Sequence, residues 1–181
     1  MPSVILAVLD HPRDAPGLLV AAACLADLIG GAVINALIVR ISPQATILAS
    51  EEVLTRQRES QIRAQEQARA TTLTAVFEDW QRNSGSTAHL IDVEAAAAQV
   101  VVGHGQGADF VVIERPARRD YGTSSQAITT ALFETDRPVL VVPPRYSKSF
   151  GRRIAVAWRD DSRTIRASTA SSGATFGARS E

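Results

Sequence analysis

The residues best equipped for chemistry cluster in one run, Glu114-Arg115-Pro116-Ala117-Arg118-Arg119-Asp120-Tyr121-Gly122-Thr123-Ser124-Ser125-Gln126. Two readings of it stand side by side. In one, the free amides of Thr123, Ser124 and Ser125 open a helix and bind an anion, with Arg115, Arg118 or Arg119 adding positive charge. In the other, Thr123 and Gln126 form a capping box and nothing more. A second short stretch, Asp10-His11, follows an apolar run. Asp10 suits either a polar ligand or the ordering of the proline-containing loop behind it. His11 adjoins the predicted cleft.

Other reactive signals fade. The glycines of Gly103-His104-Gly105-Gln106-Gly107 have the wrong spacing for a dinucleotide loop, and a strand follows where a helix is required. They read as a helix stop. His11, His89 and His104 fall on different elements and lack metal-ligand spacing. No serine sits in a G-x-S-x-G elbow, and neither a nucleophile–base pair nor a carboxylate pair calls for catalysis. Cys24 falls in a helical apolar stripe, so a buried, unreactive thiol is expected. The charged stretch Arg56–Arg69 reads as the solvated face of a long helix.

These residues need elements to position them. Val4–Leu9 and Ala32–Val39 are apolar runs of the kind found in strands buried on both faces. Between them His11–Pro16 reads as a loop, Leu18–Ile29 as a helix and Gly30-Gly31 as its stop. Glu51–Gln81 is a long helix with Ile62, Leu73, Val76, Phe77 and Trp80 as its apolar stripe, ended by Asn83–Ser86. Ala88–Val93, Phe110–Ile113 and Val139–Val142 are further strands, separated by helices over Glu94–Val102 and Thr123–Thr135. Strictly alternating strands and helices imply an α/β fold, a doubly wound parallel sheet with helices on both faces. Ligands in such sheets sit beyond the carboxyl ends of the strands. That rule selects Asp10-His11, Arg40-Ile41, Glu114–Gly122 and Pro143-Pro144.

Composition narrows the class. Nineteen basic residues balance nineteen acidic ones, which gives no argument for nucleic acid. All but one of the basic residues are arginine and alanine is abundant, as a GC-rich bacterial coding bias would produce. One cysteine suits a reducing cytoplasm. The chain starts without a signal-peptide pattern, and its apolar run Leu18–Ile29 is too short for a bilayer, so no membrane partner is expected.

Three stretches together resemble the universal stress protein (UspA-like) family: ILAVLDHPRDAPGLLVAAACLA, GADFVVIERP and ALFETDRPVLVVPP. The similarity covers residues 3–144. It implies a flavodoxin-like five-stranded sheet of order 3-2-1-4-5 and a homodimer joined through strand five (Val139, Leu140, Val141, Val142). An apolar edge strand of that kind needs a cover or a partner. The family's ATP-binding branch carries G-x-x-G followed at a distance by Gly-Ser or Gly-Thr. Here Glu114 or Arg115 stands in place of the first glycine, and the second is absent. Gly122-Thr123 lies too far before Pro138, so that Ser125-Gln126 stand opposite the family's Gly-Ser. A carboxylate at Glu114 would repel a phosphate. The resemblance implies cofactor contacts at Asp10, Val39, Glu114, Arg115, Gly122, Thr123, Ser124 and Ser125, with ATP as the cofactor to test.

The expected function is a non-enzymatic cytoplasmic domain acting in stress response through dimerisation or protein interaction. The alternative is an ATP-dependent switch. A hydrolase or electron-transfer role on the same fold has no residue asking for it. Domain 1–146 is followed by 147–168, where Ile154–Trp158 aligns over Ile5–Leu9 as the start of a second, truncated repeat, and by a disordered tail over 169–181. Tandem domains are familiar in the family, which the resemblance extends to this fragment.

Overall fold

The computed structural model describes residues 2–46, 55–115 and 123–144. Five strands form one parallel sheet: β1 (Ser3–Leu9), β2 (Ala32–Ile41), β3 (Ala88–Ala95), β4 (Phe110–Glu114) and β5 (Val139–Val142). Their spatial order is β3-β2-β1-β4-β5, the order expected. Register runs Val8↔Leu37 on one side of β1 and Val8↔Ile113 on the other. Chain order reverses between β1 and β4. The crevice at that point is flanked by Asp10-His11 and Glu114-Arg115.

Helices α1 (Ala15–Leu28) and α2 (Arg56–Ser84) cover one face, and α3 (Ala97–Gln106) and α4 (Thr123–Glu134) cover the other. Alternate residues of β1 feed the two layers. Ile5, Ala7 and Leu9 join the α1/α2 core, while Leu6 and Val8 join the α3/α4 core. No helix among the described residues is long and apolar enough to cross a membrane.

Several boundaries differ from those the sequence suggests. Helix α1 begins at Ala15, inside the expected loop, because Pro16 sits in its first turn, where a missing N–H costs no intrahelical bond. Strand β3 runs on through Glu94 and Ala95, since Arg40 and Ile41 of β2 continue to pair with them. Helix α3 passes through Gly103 and Gly105 and stops only after Gln106. Gly105 is there for packing: a Cβ on it would lie 2.6 Å from Cγ2 of Thr135. Gly30 (φ 82°) and Gly31 (φ 109°) end α1 as expected, in conformations that favour glycine. Cys24 is only half-buried, because it lies beside the buried row of Leu18, Ala22 and Leu25 rather than in it.

Helix α2 is capped by Thr55, whose Oγ1 accepts from the Arg58 amide at 3.3 Å. It ends on Gly85 at φ 66°. Leu73 and Phe77 are buried, and Phe77 packs on Trp80 with ring centroids 5.9 Å apart. The segments 147–168 and 169–181, and so the expected second repeat and tail, lie outside the described residues.

Candidate functional site at the carboxyl edge of the sheet

The crevice between β1 and β4 contains a small cavity of about 20 Å³, room for a water or two. Its walls are mostly apolar: Val8 and Leu9 from β1, Val39 from β2, Ile113 from β4, Ala97 and Val101 from α3, and Ala127 from α4. Four polar side chains meet at it, those of Asp10, His11, Glu114 and Arg115. The structure thus places Asp10, Val39, Glu114 and Arg115 at one crevice. Thr123 opens helix α4, with Ser124 and Ser125 in its first turn. The side chains of Thr123, Ser124 and Ser125, and the whole of Gly122, lie outside the described residues.

On the α2 side, Arg69 organises the polar groups. Its Nη1 donates to the carbonyl of Asp10 at 2.9 Å and to Asp10 Oδ1 at 3.3 Å. Its Nη2 donates to the carbonyl of Val39 and, at 2.7 Å, to Glu66 Oε2. Glu66 Oε2 also accepts from the Ile41 amide at 3.0 Å. One guanidinium therefore ties the ends of β1 and β2 to α2 through charge-assisted bonds. The sequence pattern placed Arg69 on a solvated face, and the structure corrects it. Arg69 and Glu66 fall on the same helical face as Ala70, Leu73 and Phe77, at spacings of three and four. That spacing was the available signal. The long side chain extends beyond the apolar stripe to reach the strand ends.

On the β4 side, Glu114 is 8% exposed. Its Oε2 accepts from the His11 backbone amide at 3.3 Å and lies 3.3 Å from His11 Nδ1. Nδ1 also lies 3.6 Å from Asp10 Oδ2. The bond from His11 to Glu114 spans the crevice and joins two strand ends that are 103 residues apart in the chain. The other oxygen, Oε1, is buried without a hydrogen-bond partner among the described residues. Desolvation pushes the Glu114 carboxyl up to about 7, Asp10 and Asp14 push the same way, and the His11 amide opposes them. Near neutral pH it is a half-protonated acid, so the fixed negative charge expected at this position is only partly present. Arg115 is exposed, and its amide extends the β4–β5 ladder to the carbonyl of Val142.

The described lining of the cavity contains no serine, threonine or cysteine. His89 and His104 lie on β3 and α3, away from it, and no group of metal-ligating side chains occurs among the described residues. A second ion cluster, Arg40 with Asp92 at 2.7 Å and Glu94 at 3.0 Å, joins β2 to the edge strand β3.

No protein-family model matches the chain, and no curated protein matches it significantly. Solved structures do. The universal stress protein UspA from Lactobacillus plantarum superposes with a TM-score of 0.57 at 11% identity, over 77% of this chain and 97% of that one. The hypothetical protein MJ0577, given a biochemical function from its structure, does so with a TM-score of 0.56 at 15% identity, over 81% and 99%. A universal stress protein from Archaeoglobus fulgidus gives 0.51 at 12% identity, over 78% and 98%. At such identities the likeness establishes a shared fold, over nearly the full length of each relative.

Proposed function

We propose that this chain is a universal-stress-protein-like domain that acts in the cytoplasm without catalysis, through pairing with a second copy and contacts with other proteins. Its crevice departs from a nucleotide site. The observation that carries this reading is Arg69. Asp10 and Val39, the residues the family resemblance gives to a nucleotide, are both engaged by one guanidinium from α2. Glu114 or Arg115 stands where the family's first glycine would, and Glu114 holds a buried carboxyl there. A nucleotide would have to displace the first and tolerate the second.

Strand β5 supports the pairing. It is an edge strand of four apolar residues, Val139 to Val142, and Val139, Leu140 and Val141 are only half-buried. A second copy meeting it across a two-fold axis would cover that edge.

Calorimetric titration with magnesium-ATP tests the main point. No binding is expected at micromolar nucleotide. A micromolar Kd would overturn the reading in favour of an ATP-dependent switch built around Thr123, Ser124 and Ser125. Light scattering at tens of micromolar tests the pairing, with a dimer expected and a monomer counting against it.

A further inference from the structure

We draw no further inference here: the strongest candidate, the polar groove of about 400 Å³ between the first half of α2 and the ends of β2 and β3, lined by Arg40, Arg63, Glu66 and Glu94, carries nothing, because its carboxylates are already paired with Arg40 and Arg69 and nothing in the structure shows what covers it.

Discussion

The two sides of the crevice handle their polar atoms in opposite ways. On the α2 side, Arg69 satisfies Asp10, Val39 and Glu66, and Glu66 in turn caps the Ile41 amide. On the β4 side, Glu114 shares one oxygen with His11 and leaves the other unmatched among the described residues. The first arrangement is closed and holds the strand ends together. The second carries the cost of desolvating an acid that its neighbours repel. A fold gains little stability from the second arrangement.

The largest test of this contrast removes Arg69. Arg69→Met keeps the alkyl stem but removes the guanidinium bonded to the carboxylates of Asp10 and Glu66. Since the three side chains are 17–23% exposed, a loss of roughly 3 kcal/mol in urea unfolding is expected, near the lower range for breaking buried pairs. A loss under about 1 kcal/mol would place Arg69 among ordinary surface ion pairs and erase the contrast.

The β4 side should respond with the opposite sign. Because the folded Glu114 carboxyl is pushed up to about 7, the folded state holds a proton that the unfolded chain has released. Its contribution to stability is therefore complete in acid and is lost as pH rises through 7. Glu114→Gln, which is neutral throughout, is expected to raise stability at pH 8 by about 2 kcal/mol, with the gain vanishing near pH 5. A variant less stable than wild type at pH 8 would mean that Glu114 is matched in solution after all.

Beneath the β4 side, α3 and α4 set the apolar wall. Gly105→Ala would drive a methyl to 2.6 Å from Thr135 Cγ2, while Thr135 Oγ1 donates to the Ala131 carbonyl at 2.7 Å. The expected cost is about 1–2 kcal/mol, read as a lower urea midpoint. An unchanged midpoint would show that this wall yields easily and that the cavity shape is not fixed. Smallest of all should be Arg40→Met. Its cluster with Asp92 and Glu94 is more exposed than that of Arg69, and a change below about 1 kcal/mol in a thermal melt is expected. An effect as large as that of Arg69→Met would show that burial does not separate the two clusters.

Much of the frame could be read from the sequence. Unbroken apolar runs such as Val4–Leu9 announced strands buried on both faces, and the rule that ligands sit at strand ends selected Asp10-His11 and Glu114-Arg115. Misplaced boundaries had local causes. Proline signals a loop at Pro16, and glycine a stop at Gly103 and Gly105, where the proline in fact serves a first turn and Gly105 a close approach between helices. The dense charge of Arg56–Arg69 concealed that Glu66 and Arg69 continue the buried face of Leu73 and Phe77.

The sequence by itself determined the alternating elements, their buried faces and the edge at which polar residues collect. Those properties depend on neighbours within a few residues, through periodicity and turn chemistry. Tertiary structure alone decided that Arg69 reaches the ends of β1 and β2, that His11 and Glu114 join across 103 residues, and that a glutamate at a strand end is sealed from water. Pairing, burial and the resulting shift in acidity depend on distances between elements, and those distances exist only once the sheet and its two helical layers have packed.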